Sequence, residues 1–119
     1  MSVVGIGTDI VEVARITGIL ERHGDRLAQR VLTEQEYSHY RRSSRPAALL
    51  ARRLAAKEAA AKALGTGIAA GVNFKDLEVD HDSRGKPELR LHGAAWEHLQ
   101  ALGGTCCHLS ISDERAYAV

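Results

Sequence analysis

The chain has 119 residues, 45% of them hydrophobic and 26% charged, with a formal net charge of +1. That balance fits one globular domain spanning residues 1–119 and excludes a disordered or membrane-embedded chain. The near-neutral charge also argues against a general nucleic-acid binder, which needs a strongly basic domain.

With one Trp, three Tyr and one Phe, the core must be built from Leu, Val, Ile and Ala. So small a domain gains from burying surface against a copy of itself. The N-terminus MSVVGIGTDI has neither the basic region nor the long apolar region of a secretory signal, and no apolar run reaches the length of a membrane span. A cytoplasmic protein is expected, without a membrane partner. Cys106 and Cys107 are adjacent and lack CxxC or Cys/His ligand spacing, so they read as reduced small hydrophobes.

In chain order, Val3, Val4 and Ile6 form a short apolar run that predicts a buried strand turning at Thr8-Asp9. A helix follows, with Ile10, Val13, Ile16 and Leu20 at helical spacing and a stop near Gly24. Thr33 and Glu36 make a capping-box pattern that opens a short helix through about Arg41. The longest predicted helix has Ser44 as N-cap, Pro46 in its first turn, an Ala-rich run to Leu64 and Gly65 as C-cap.

The period then changes to two. Val72/Phe74, Leu77/Val79 and Leu89/Leu91 alternate around the turn residues Asp82 to Pro87, which predicts a hairpin. Residues 94 to 102 return to helical spacing. Cys107, Leu109 and Ile111 alternate with His108, Ser110 and Ser112, and Asp113-Glu114-Arg115 turns the chain into a final strand to Val119. Helices first and antiparallel strands later define an α+β class, with one long helix on a small antiparallel sheet.

The chemistry gathers on the long helix. At about 100° per residue, Leu50, Leu54, Ala61 and Leu64 share one buried stripe, and Lys57 falls inside it. Arg53 lies on one flank, and Glu58 and Lys62 on the other. One reading lays the Lys57 stem along the core with its head in water and pairs Glu58 with Lys62 on the surface. The other gives a carboxylate to a hard cation while Arg53, Lys57 and Lys62 face phosphates. Asp9 is open in the same way: with Glu12 it forms a capping-box pattern, and it is also a carboxylate at a strand end that could join Glu58 around magnesium. Gly65-Thr66-Gly67 reads as a C-cap and turn whose amides could meet phosphate. His108, Ser110 and Ser112 share one strand face, either solvated or functional. Arginines recur along the first helical segment and again near residues 41 to 53, a patch suited to an anion or an acidic partner.

Four blocks in order, GIGTDIVEVARI (5–16), RVLTEQEY (30–37), RRLAAKEAAAKALGTGI (52–68) and HLSISDERAYA (108–118), resemble the holo-acyl-carrier-protein synthases, short bacterial 4′-phosphopantetheinyl transferases. The segment FKDLEVDHDSRGKPEL is similar as well. The resemblance implies an α+β fold assembled as a homotrimer with sites between subunits. It implies transfer of the phosphopantetheine arm of coenzyme A to a serine of acyl carrier protein, in fatty acid biosynthesis, with magnesium. By matching position, Asp9 and Glu58 would be the magnesium ligands and catalytic with Lys62. Arg53, Lys57, Lys62, Gly65, Thr66 and His108 would line the coenzyme A pocket, and Arg15, Arg22 and Arg26 would dock the carrier protein. The general base stays open between Glu58 itself and water held at the two carboxylates.

Leu54 stands where the family often has Phe, and Asp113 where it often has His; the resemblance also implies a chain extending past Val119. A magnesium-dependent hydrolase of nucleotide diphosphates, or a non-catalytic module that binds an acidic protein, would use the same residues.

Overall fold

A computed structural model describes residues 2–119. Its spine is α4, Pro46–Leu64, which starts with Pro46 in the first turn and stops at Gly65 in the left-handed conformation, φ 80°. Arg45 rather than Ser44 occupies the N-cap, and no side chain caps it. Ahead of it lie β1 (Val11–Glu12), α1 (Val13–His23), α2 (Arg26–Val31) and α3 (Glu34–Arg42). After it come a 3₁₀ turn at Phe74–Asp76, β2 (Leu77–His81), β3 (Pro87–Leu91), α5 (Gly93–Ala101) and β4 (Tyr117–Ala118). The class is α+β, as the element order predicted.

The two halves of α4 serve two cores. Leu49, Leu50, Ala51 and Ala55 pack with Ile16, Ala28, Val31, Leu32 and Tyr40 from the three preceding helices. One turn and more further on, Ala61 and Leu64 pack with Val72, Leu77, Ala95 and Leu99. Small alanines on a central helix let neighbours approach closely from several sides, which is why a helix of low amphipathicity is buried so fully.

The hairpin forms where predicted: Leu77 pairs with Leu91 and Val79 with Leu89. The Asp82 carboxylate accepts from the Arg84 and Lys86 amides, closing its turn. The capping box also forms, with the Glu36 amide donating to Thr33 Oγ1 and the Thr33 amide to Glu36 Oε1.

Other expectations differ: Val72 lies outside any strand and Phe74 in the 3₁₀ turn, so the strand alternation begins only at Leu77. The run Val3–Ile6 is neither a strand nor buried; Val3 is 82% and Ile6 84% exposed. Among the described residues no strand pairs with it, and the Val3 and Ile6 side chains are left uncovered. The first helix starts at Val13, not at Ile10, and α2 is an element the apolar spacing did not resolve. Of the C-terminal pair, the turn forms, with Ser112 and Val119 exchanging backbone bonds. However, β4 pairs with β1, setting Val11 against Ala118, and Cys107–Ile111 is not in a strand. Among the described residues no helix is long and apolar enough to cross a membrane.

Candidate active site

The exposed side of α4 carries Glu58 and, one turn later, Lys62. The Lys62 ammonium donates to the Thr8 carbonyl and to Asp9 Oδ1, each at 3.0 Å. Residues four apart on a helix are neighbours on one face, so Lys62 holds the Asp9 carboxylate on the face that Glu58 occupies. The capping-box pattern read at Asp9 does not form. The N-cap of α1 is Glu12, which makes no capping bond, and the Asp9 side chain turns away from the helix start towards α4. Nor do Glu58 and Lys62 form the surface pair that their spacing allowed.

Lys57 is placed elsewhere. It is 0% exposed, and its Nζ donates to Glu36 Oε1 at 2.6 Å, the Val31 carbonyl at 2.7 Å and the Phe74 carbonyl at 3.0 Å. An ammonium with three protein acceptors in the interior has no donor left for a phosphate, which corrects the expectation that Lys57 contacts coenzyme A. Burial pushes the Lys57 pKa below its ordinary value, and the Glu36 carboxylate opposes that shift. Glu36 was legible only as a capping residue. The signal for its second role was the charge stranded in the α4 stripe, which required a buried carboxylate.

Arg53 is 5% exposed, and its Nε has no hydrogen-bond partner among the described residues. Burial lowers its pKa, with Glu36 pulling the other way. On β2, burial and then the Arg53 charge push the His81 imidazole down. Its neighbour Arg52 pairs with Asp113 at 3.3 Å. An acidic residue at position 113 therefore ties the C-terminal turn to α4.

The Gly65-Thr66-Gly67 amides are occupied. Gly65 donates to the Lys62 carbonyl, and Thr66 and Gly67 donate to that of Ala61. The Thr66 hydroxyl donates to the Gly67 carbonyl. The turn is a helix cap, and its backbone donors are not directed at a ligand. His108 is exposed, with Nε2 3.7 Å from Cys106 Sγ. Both cysteines are free, and burial raises the Cys107 thiol. Arg15, Arg22 and Arg26 are exposed on α1 and at the start of α2, and among the described residues none makes an ion pair.

A cavity of about 530 Å³ opens between the Ser2–Gly7 segment, α4 and the stretch from Gly103 to Leu109. Val4, Leu64, Leu91 and Leu99 line it on the apolar side, and His108 stands at its edge.

Residues 5–117 match the model of the 4′-phosphopantetheinyl transferase superfamily. The chain is 59% identical over 118 residues to the holo-acyl-carrier-protein synthase of Alkalilimnicola ehrlichii, covering 98% of this chain and 92% of that one. It is 54% identical to that of Photorhabdus laumondii, covering 99% and 94%. Among solved structures, the holo-acyl-carrier-protein synthase of Neisseria meningitidis superposes with a TM-score of 0.91 at 40% identity, covering 98% of this chain and 94% of that one. The Bacillus anthracis enzyme in complex with coenzyme A (3′,5′-ADP) superposes with a TM-score of 0.78 at 40% identity, covering 97% and 90%. With sequence, fold and the acidic, lysine-bearing face of α4 in agreement, the chain belongs to the 4′-phosphopantetheinyl transferase superfamily.

Proposed function

We propose that the chain transfers the 4′-phosphopantetheine group of coenzyme A to a serine hydroxyl of apo acyl carrier protein. The reaction releases adenosine 3′,5′-bisphosphate, and its place is fatty acid biosynthesis in the cytoplasm. The observation that carries this reading is the Asp9–Lys62 contact on the Glu58 face of α4, in a chain whose relatives are named for this reaction.

Asp9 and Glu58 fit a hard divalent cation such as magnesium. Both are carboxylates, the ion is commonly held by one or two protein carboxylates with substrate phosphate, and the Lys62 ammonium marks Asp9 Oδ1 as a position that accepts positive charge. When bound there, magnesium would supply charge neutralisation at the diphosphate. Lys62, within reach of the same group, stabilises the charge that develops on the diphosphate as the bond to the phosphoryl group breaks. Glu58 is the candidate base for the serine proton. Arg53, buried with an unpartnered Nε, keeps a free guanidinium donor, and the His108 imidazole lines the cavity.

The unpaired Arg15, Arg22 and Arg26 form a docking face for an acidic carrier protein, where complementary charge speeds encounter. The exposed Val3, Ile6 and Ile10 fit burial against a second copy, and a homotrimer would bring neighbouring subunits to the open cavity.

Intact-mass spectrometry of apo carrier protein incubated with this protein, coenzyme A and magnesium tests the reading. A gain of one phosphopantetheine is expected. Phosphate release without an acceptor would instead select a hydrolase, and a bound but unmodified carrier protein a non-catalytic module.

A further inference from the structure

The segment that carries Asp9 is held in an unusual way. Residues 2–10 belong to no strand, and the apolar side chains of Val3 and Ile6 point into solvent. What touches α4 instead is backbone. A Cβ built on Gly5 would lie 2.2 Å from the Ala63 carbonyl oxygen, and one on Gly7 would lie 2.0 Å from the Ala59 oxygen and 2.8 Å from the Ala63 nitrogen. Neither glycine has a positive φ, so the positions need glycine for space and not for a left-handed turn.

The spacing explains the seat. Two residues of extended chain advance about 6.6 Å, and one helical turn about 5.4 Å, so alternate residues fall on successive turns. Gly5 sits at Ala63 and Gly7 at Ala59, running backwards along α4, and Thr8 and Asp9 follow, held by Lys62. On the far side, Val11 is buried and paired with Ala118. Asp9 is thus fixed between a backbone seat and a core anchor.

We propose that Gly5 and Gly7 are positioning residues for the reaction: by lying side-chain-free on the α4 backbone, they set the register that presents Asp9 beside Lys62 on the Glu58 face. This rests on the reading of Asp9 as a metal ligand given above. A methyl at position 7 must move from 2.0 Å to at least the 3.4 Å where ordinary contact begins. The opposing atoms are helix backbone, which no rotamer change can withdraw. A displacement of about 1 Å at a reacting geometry costs on the order of 100-fold in rate.

A double-mutant cycle between Gly7→Ala and Asp9→Asn tests this, reading both kcat/KM for carrier modification and the affinity for Mn2+ by electron paramagnetic resonance in the presence of coenzyme A. Gly7→Ala is expected to lose about 100-fold in kcat/KM, to weaken Mn2+ binding and to add nothing in the Asp9→Asn background. Its melting temperature should stay within a few degrees, because the segment packs outside both cores. A Gly7→Ala loss under twofold, or losses that multiply with those of Asp9→Asn, would overturn the proposal. Near-normal turnover and Mn2+ affinity in Asp9→Asn alone would instead remove the metal reading, while hydrogen exchange at residues 8–10 in Gly7→Ala still reports the seat. Gly5→Ala, one turn further from Asp9, should show a smaller loss with the same non-additivity. Global unfolding of both alanine variants would also overturn the proposal, since the glycines would then hold the fold.

Discussion

Lys57 Nζ lies 2.6 Å from Glu36 Oε1, and neither side chain is open to solvent. The pair does more than neutralise charge. Lys57 takes up the Val31 and Phe74 carbonyls, while Glu36 accepts from the Thr33 and Val79 amides. One ion pair therefore ties the end of α2, the cap of α3, the 3₁₀ turn and β2 to the middle of α4, one residue before Glu58.

Removing either partner leaves a buried charge and orphaned backbone groups. Glu36→Ala and Lys57→Met should each lose about 3–5 kcal/mol in urea denaturation. Apolar replacement of both, Glu36→Leu with Lys57→Met, should not recover the loss, because four backbone groups still lack partners. Recovery to wild-type stability would show that the backbone bonds contribute little.

How far this was legible depends on range along the chain. The Thr33/Glu36 cap, the Pro46 start and Gly65 stop of α4, and the hairpin turn at Asp82 are decided within a few residues, and each formed as read. Lys57 was visible as a charge in an apolar stripe, yet its partner lies on another helix, a tertiary fact that periodicity does not carry. Val3–Ile6 differs from its pattern for a related reason: hydrophobicity says that a segment is to be covered, not that its own chain covers it. The sequence alone does not place Asp9, because only the fold brings Lys62 to it. The short α2 has no side-chain cap at Asp25 and too few residues for a helical period to emerge.

Lys62 separates stability from activity. Its pair with Asp9 is partly solvated, with the lysine side chain 53% exposed, so the contact is worth at most about 1 kcal/mol to the fold. Lys62→Met should melt within a few degrees of wild type while kcat falls by about 100-fold or more, the usual cost of removing a charge stabiliser. A melt that collapses together with activity would assign Lys62 to the fold instead.

Alkaline stability should follow Tyr40. Its hydroxyl donates to Asp25 Oδ1 at 2.8 Å, and Tyr37 donates to the other oxygen. Burial, then the hydrogen bond and charge of Asp25, push the Tyr40 pKa well above its ordinary value. The folded state thus keeps the proton longer than the unfolded one. The stabilisation is fully present below about pH 10, the unfolded value, and is lost as pH rises through the folded value. Tyr40→Phe should cost about 1 kcal/mol at neutral pH and flatten the decline in melting temperature above pH 10.

At the acid end the group is Glu78. Burial alone would raise its pKa, but hydrogen bonds from Thr33 and His92 outweigh it, and the carboxyl is held below the usual range. A depressed carboxylate stabilises the fold above its unfolded pKa, near 4.3, and that contribution disappears as pH falls through the folded value. Glu78→Gln should therefore lower stability at pH 7 and reduce its dependence on pH below 4.5, read by thermal melts across that range.

Self-association should depend on the N-terminal segment. Val3, Ile6 and Ile10 expose large apolar side chains within one short segment, and each loses roughly 1.5–3 kcal/mol of burial if nothing covers it. Replacement of Ile6 by Lys puts a charge where a second copy would press, and desolvating that charge unpaired costs more than the lost apolar contact. Sedimentation velocity should show the parent protein as a trimer at micromolar concentration and Ile6→Lys as a monomer. If activity needs the cavity closed by a neighbour, Ile6→Lys should lose turnover and regain part of it as protein concentration rises, because association is set by mass action. Full activity in a strictly monomeric Ile6→Lys would place the whole site within one chain.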